Sequence, residues 1–160
     1  MVEGIGDGAA AWLVGIIGGS TVAARLVIGA LGPRFDGLRQ YAFSYWVMTA
    51  GLSVWLVAGG SYPLLALAAA LHGLGWAVWV TAAPMVLAEW FGVRDLGGAL
   101  GTFYTGLGLG AVPGPALSGF IIDQVSYEAA IGFVVVLNVA AIGAVRVVRT
   151  RHETPAPARA

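Results

Sequence analysis

The sequence predicts an all-α membrane protein, built as a polytopic bundle of five transmembrane helices. Hydrophobic residues make up 59% of the 160 residues and charged residues only 10%, with a mean hydropathy of +0.86. A soluble domain has roughly 25% charged residues, and it needs them on its surface to stay dispersed. The uncharged runs are also long enough to cross a hydrocarbon core, which takes about 20 helical residues. These observations argue against a soluble globular protein.

Five stretches reach the length of a membrane span, and short polar or Gly/Pro-containing segments join them. The first stretch has no basic residue ahead of it and follows Glu3 and Asp7, which is not typical of a signal peptide, so we expect it to stay in the mature chain. The second stretch is the shortest, and "GGSYP" separates it from the third. "EWFGVRDLGG" and "DQVSYE" precede the fourth and the fifth. The predicted helices are residues 9–31, 41–58, 62–88, 96–122 and 127–148.

The arginines predict the orientation of the chain. With this helix count, all eight arginines fall on one side of the membrane, and there is no lysine. Because Lys and Arg are retained on the cytoplasmic face, the N-terminus is expected outside and the C-terminus inside. The chain is therefore predicted to be a multi-pass protein of the inner (plasma) membrane. Residues 149–160 are polar and rich in Pro and Ala, and we expect a disordered cytoplasmic tail there.

The stretch "GALGPRFDGLR", residues 29–39, is predicted to form a tight cytoplasmic hairpin between the first two helices. Glycines permit a short reversal, Pro33 cannot continue a helix, and Arg34 and Arg39 anchor the turn at the inner face. On physical grounds alone, this is a positively charged turn that fixes topology.

The same stretch resembles the cytoplasmic loop signature of the major facilitator superfamily. Pro33 occupies the acidic position of that signature, and Asp36 is displaced beyond the aromatic residue. The matching residues are Gly29, Leu31, Arg34, Phe35 and Gly37.

The second half of the chain resembles the last two helices of the monocarboxylate and oxalate/formate branch of that superfamily. The resemblance extends over residues 9–148 and implies helices eight to twelve of a twelve-helix transporter, so that the N-terminal half and one further helix are missing. The matching residues are Glu89, Phe91, Gly92, Arg94, Gly98, Gly101, Gly106, Gly110, Gly114, Pro115, Gly119, Asp123 and Tyr127.

Small residues recur every four positions in the first and fourth predicted helices. Inside a membrane, close backbone contact through small residues supports helix association. These glycines therefore predict helix packing surfaces, and Pro84, Pro113 and Pro115 predict bends in the helices that contain them. The packing candidates are Gly15, Gly19, Gly106, Gly110, Gly114 and Pro115.

Several residues are candidates to face a substrate. Arg25 lies inside the first helix, where a charge is costly and is usually functional, although it is near enough to the inner end, roughly 9 Å, to snorkel. His72, Trp76 and Trp79 share one helix face, and a histidine there could carry a proton, although such stripes are commonly packing and a lone membrane histidine commonly bonds a neighbouring helix. Tyr104 and Thr105 offer hydroxyl groups from the fourth helix.

The family resemblance implies roles for some of these residues. An arginine at the spacing of Arg25 to Gly29 engages the substrate carboxylate in the resembled family, and Thr21 stands where monocarboxylate members often have Asp. The implied substrate is a small organic anion, with or without coupled protons. Glu89 and Arg94 bracket the second cytoplasmic loop as the family's gate residues do, and we expect them to form an ion-pair network with Arg34 that closes the cytoplasmic side. The implied function is secondary active transport by alternating access.

Other function classes find little support in the sequence. Cys is absent, so disulfides and thiolate metal sites are excluded, and no basic patch suggests nucleic acid. No catalytic constellation or phosphate-binding motif is visible, so an enzyme, a metal site or a cofactor is not expected. The remaining alternative is a non-transporting five-helix subunit that packs with other membrane helices.

Overall fold

The computed structural model of the chain describes residues 6–31 and 35–153, and every regular element in them is an α-helix. This confirms the predicted all-α class. The helices are α1 (Asp7–Leu31), α2 (Gly37–Val57), α3 (Tyr62–Ala111), α4 (Pro113–Gln124) and α5 (Tyr127–Glu153).

Three stretches of the described chain are long and apolar enough to cross a membrane: Gly8–Ala30, Tyr62–Gln124 and Tyr127–Thr150. α2 is not among them, because an arginine, a glutamine and several hydroxyl side chains lower its hydropathy. The membrane-embedded nature of the chain nevertheless follows from the other three.

The boundary between the predicted third and fourth helices differs from the expected loop at residues 89–95. The chain stays helical through this region except at Gly92, whose φ of 76° and ψ of 162° divide α3 into a first arm, 62–91, and a second arm, 93–111. The rings of Trp79 and Phe103 nevertheless lie 5.6 Å apart. In a straight helix these residues would be roughly 36 Å apart, so the second arm must fold back along the first.

The second arm continues into α4 with only a small irregularity. Val112 keeps helical angles, and its N–H group donates to the carbonyl oxygen of Gly108 at 3.2 Å. Pro113 and Pro115 lack N–H groups, which accounts for the break in the hydrogen-bond pattern at this point.

The remaining turns are short and have local causes. Asp36 caps α2, since its Oδ1 accepts a hydrogen bond from the backbone N–H of Arg39 at 2.8 Å. Gly59 and Gly60 both have positive φ, which allows the two-residue reversal before α3. Ser126 caps α5 through a bond from the N–H of Ala129 to its Oγ at 3.1 Å. The helix α5 then extends to Glu153, five residues beyond the predicted end, and residues 154–160 lie outside the described part.

The first arm of α3 is the centre of the bundle. In the described residues, α1 and α2 both pack on α3, and α5 packs on α2 and α4, while no Cα atoms of α1 and α2 come within 8 Å of each other. In the most apolar 18-residue stretch of Tyr62–Gln124, 44% is buried inside the protein. The corresponding share is 11% for Gly8–Ala30 on α1 and 6% for Tyr127–Thr150 on α5. Most of the surface of α1 and α5 is therefore uncovered in this chain.

Replacing Gly92 by alanine should weaken the fold. A side chain at this φ and ψ is strained, so we expect a loss of about 1–3 kcal/mol in the free energy of unfolding, measured by denaturant titration in mixed micelles. Gly98→Ala is the matched control, because Gly98 is helical and a Cβ there meets no atom within 4 Å. Equal stability of the two variants would contradict a special role for the backbone at Gly92.

Candidate functional site

The contact between α1 and α3 is centred on Gly73. A Cβ on Gly73 would overlap the Ser20 hydroxyl and the Ile17 carbonyl oxygen, so only glycine allows this approach. The Thr21 hydroxyl oxygen lies 2.7 Å from the carbonyl oxygen of Ile17 and 3.1 Å from that of Gly73. The hydroxyl group of this predicted substrate residue is thus committed to the helix contact.

α1 and the first arm of α3 run parallel to each other. Leu13 clusters with Leu65 and Ala69, and eight residues later in α1 Thr21 meets Gly73. Both helices therefore advance in the same direction through the bundle. Arg25 lies one turn beyond Thr21, roughly 6 Å along the axis, and is exposed.

The same alignment places two further predicted residues near the level of Arg25. His72 immediately precedes Gly73 and is half-buried, and Trp76 lies one turn after His72 on the same face. The line along which α1 and α3 meet is therefore flanked by four predicted site residues: Thr21, Arg25, His72 and Trp76.

Four aromatic residues form a continuous series across the two arms of α3, which we call the aromatic wall: Trp76, Trp79, Phe103 and Tyr104. Trp76 stacks on Trp79 with ring centroids 5.3 Å apart and an interplanar angle of 17°. Trp79 contacts Phe103, and Phe103 meets Tyr104 edge-to-face at 5.5 Å. Trp79 is only 7% exposed, whereas Trp76 and Tyr104 at the two ends are 42% and 45% exposed. The ends of the wall are therefore available for contact with a ligand.

A hydrogen bond to α2 orients the aromatic wall. The Trp79 indole Nε1–H donates a hydrogen bond to the Tyr45 hydroxyl oxygen at 3.1 Å, and that oxygen lies 3.4 Å from the Tyr41 hydroxyl oxygen. This satisfies the indole donor in a region without bulk water, where an unpaired polar group is costly. Neither tyrosine was singled out from the sequence, because their role depends on the pairing of α2 with α3.

Thr105 follows Tyr104 and is exposed. Its hydroxyl donates to the carbonyl oxygen of Gly101 at 2.8 Å, one turn earlier in the second arm. Its oxygen can still accept a hydrogen bond from a ligand.

One of the predicted gate residues, Glu89, lies beside the beginning of α2. A Cβ on Gly37 would lie 3.3 Å from both carboxylate oxygens of Glu89, so the carboxylate packs over the first residue of α2. The N-terminus of a helix favours a negative charge, because its first N–H groups lack helical partners. Arg94 is exposed, two residues after the break at Gly92, and Arg34 lies outside the described residues. The predicted ion-pair network stays a prediction.

The glycines that pack within this chain are not those that their four-residue spacing suggested. A Cβ on Gly51 would lie 3.1 Å from the Ala68 carbonyl oxygen, and one on Gly75 would lie 3.0 Å from that of Ser44. By the same criterion, the predicted packing glycines and the loop residue Gly29 meet nothing within 4 Å, and Pro115 is exposed. The open glycines are Gly15, Gly19, Gly106, Gly110 and Gly114.

Two features of α5 were missed by the sequence reasoning. The Asn138 amide nitrogen donates to the Val134 carbonyl oxygen at 3.0 Å, while its Oδ1 is buried without a hydrogen-bond partner in the described part of the chain. The Arg146 guanidinium carbon lies 5.4 Å from the ring centroid of Trp46 on α2, which is the geometry of a cation–π contact. The sequence feature that could have identified Asn138 is a single Asn within an apolar stretch.

The comparisons with known proteins agree with this architecture. The family model described as Major Facilitator Superfamily matches residues 3–160. The chain belongs to the major facilitator superfamily.

A curated relative from Schizosaccharomyces pombe (strain 972 / ATCC 24843), named "Uncharacterized MFS-type transporter C18.02", is similar to the chain. The two are 25% identical over 127 residues, which cover 78% of this chain and 28% of the relative. No solved structure matches the chain. The chain therefore spans less than a third of the length of this major facilitator relative.

Enlarging Gly73 should separate α1 from α3. Gly73→Ala places a methyl group against the Ile17 carbonyl oxygen, and overpacking of this kind typically costs about 1–3 kcal/mol in the free energy of unfolding. Gly18→Ala is the control, since a Cβ there meets nothing within 4 Å. Unfolding in mixed micelles should show a loss for the first variant and no loss for the second, and equal stability would contradict the α1–α3 contact.

Proposed function

We propose that the chain is part of the C-terminal half of a transporter that moves small organic anions of the monocarboxylate type across the inner membrane by alternating access. Membership of the major facilitator superfamily supports a transporter. The substrate class and the position within the transporter rest on the sequence resemblance and on the placement of Arg25.

The placement of Arg25 is the observation that carries this proposal. Arg25 lies within Gly8–Ala30, a stretch apolar enough to span the membrane, and no described part of the chain buries it. A guanidinium group in hydrocarbon is costly, so such residues usually face a water-filled cavity or another part of the protein. A planar guanidinium also binds a carboxylate through two parallel hydrogen bonds. Arg25 would therefore provide the anion-binding group.

The neighbouring residues would complete the site on the side of α3. His72 could exchange a proton with a bound anion, and the exposed ring of Trp76 could cover the apolar part of the substrate. Tyr104 and Thr105 would approach from the second arm, and the aromatic wall would hold Trp76 and Tyr104 in fixed relative positions. Thr21 contributes indirectly, because its hydroxyl holds the α1 backbone against Gly73.

The uncovered faces of α1 and of the second arm of α3 support the proposal that this chain forms only part of the substrate pathway. Glycines at four-residue spacing on α1 and on the second arm of α3 lie open, and helices with such faces pack closely against other helices in membranes. We propose that the missing part of the transporter covers them, so that the substrate pathway lies between that part and this chain.

Glu89 and the first turn of α2 would serve as a gate on the predicted cytoplasmic side. The carboxylate lies over Gly37, and we propose that Arg94, at the start of the second arm, and Arg34 provide the cations of the gate. Charge attraction at this point would hold α2 and the end of the first arm together in the outward-open state. A few weak contacts of this kind can shift two states of similar free energy.

Removing the charge of Arg25 should strongly reduce anion uptake. Loss of a charged hydrogen-bonding group typically costs about 1.5–3 kcal/mol, so Arg25→Ala should reduce uptake of labelled lactate, pyruvate or oxalate about 10- to 100-fold in the reconstituted complete transporter. Arg25→Lys keeps the charge but loses the planar donor pair, and we expect an intermediate rate. Undiminished uptake by Arg25→Ala would remove Arg25 from the site. Absence of any transport by the complete assembly would favour the non-transporting membrane subunit.

Neutralising Glu89 should open the gate. Because the sequence has no native cysteine, a single cysteine at Ala88 can report access from the predicted cytoplasmic side of a complete transporter that contains these residues. We expect Glu89→Gln to increase its rate of labelling by a membrane-impermeant thiol reagent, since the amide is attracted less strongly to the α2 N-terminus. Glu128→Gln, on the first turn of α5, is the control. An unchanged labelling rate in Glu89→Gln would contradict the gate.

A further inference from the structure

A long groove separates α1 from α2 on one side of the bundle. Both helices pack on α3, while no Cα atoms of α1 and α2 in the described residues lie within 8 Å of each other, so the first arm of α3 forms the floor of the space between them. Two cavities of about 460 Å³ and 380 Å³ occupy this space. They have four lining residues in common and so form one continuous groove, to which we refer as the α1–α2 groove: Val27, Ile28, Phe43 and Val78.

The chemistry of the α1–α2 groove changes along its length. Apart from Ser20, the larger cavity is lined by apolar side chains, including Ala23, Ala70 and Leu74. The smaller cavity ends at Arg39 and Gln40, in the first turn of α2. An apolar channel within the membrane therefore opens beside a cation at the membrane face where α1 ends and α2 begins.

The groove is separate from the candidate substrate site. Leu74 lies on its floor, whereas Trp76 belongs to the aromatic wall. Two residues along a helix differ in direction by about 200°, so these side chains leave α3 on opposite sides. The groove thus faces away from the aromatic wall, and an inference about its occupant does not depend on the proposed substrate.

We propose that the α1–α2 groove binds an anionic phospholipid, with an acyl chain between the two helices and the phosphate on Arg39. The apolar lining matches a hydrocarbon chain, and the position of the guanidinium matches the depth at which a headgroup would lie. Basic residues between membrane helices at the membrane face are typical ligands of anionic headgroups. Arg39 is exposed, and its backbone N–H is bonded to Asp36, so the backbone of this residue is held at the rim of the groove.

Site-specific quenching can test this occupant in the intact chain. The native sequence lacks cysteine, so Ala23→Cys, at the margin of the groove, can carry a single fluorophore. The protein is placed in phosphatidylcholine vesicles that contain a small fraction of phosphatidylglycerol or phosphatidylcholine with the same nitroxide-labelled acyl chain. We expect phosphatidylglycerol to quench about twofold more strongly than phosphatidylcholine. A fluorophore at Val136→Cys, which is 65% exposed on α5 and outside both cavities, should show no such preference.

Charge variants identify the headgroup contact. Arg39→Gln should remove the preference for phosphatidylglycerol at Ala23→Cys, and Arg149→Gln, a loss of charge at a residue outside both cavities, should retain it. Circular dichroism would verify that both variants keep the helical content of the parent chain. Equal quenching by the two lipids in the parent, or an unchanged preference in Arg39→Gln, would overturn the proposal. Weaker quenching at Ala23→Cys than at Val136→Cys by both lipids would also overturn it, because protein rather than lipid would then fill the groove.

Discussion

The close approach of α1 and α2 to the first arm of α3 is the constraint on which the rest of the structure depends. Gly73 admits the backbone of α1, while Gly51 and Gly75 allow α2 and α3 to meet backbone against backbone. Apolar side chains gain little from mutual burial in a membrane, because lipid is as apolar as they are. Contact therefore has to come from close packing and from hydrogen bonds such as that between Thr21 and Gly73. These contacts set the level of Arg25 relative to His72 and Trp76.

The reversal at Gly92 has an equally large effect on the site. It brings Phe103 back onto Trp79 and so joins the two arms of α3 through side chains that are 24 positions apart. The hydrogen bond from Trp79 to Tyr45 then ties this aromatic series to α2. Three helical segments thus share one set of rings, and their exposed ends lie where a substrate could reach them.

The bundle has two sides of different character. The aromatic wall, with Arg25 and His72 beside it, combines a cation, a titratable ring and exposed aromatic surface. The α1–α2 groove on the other side of α3 is almost wholly apolar, with Arg39 at one end. The glycines at four-residue spacing on α1 and the second arm meet no atom within 4 Å, so this surface is open in the chain. The chain matches only 28% of the length of the major facilitator relative.

The sequence by itself determined that the chain is helical and embedded in a membrane, because composition and the length of uncharged runs are properties of the chain alone. It also determined the family, through motifs whose residues are close together in the sequence. It indicated which polar residues lie within apolar helices, such as Arg25, Thr21 and His72, but it could not tell which of them pack against a neighbouring helix and which are exposed. The packing glycines show the same limit: with 25 glycines in the chain, spacing favoured Gly15 and Gly19, whereas Gly73 makes the contact with α1. Only the tertiary structure decided which glycines meet a neighbouring backbone, and that Trp79 pairs with Tyr45 and Phe103. Each of these depends on the rotation and depth of one helix against another, and helical periodicity leaves both undetermined.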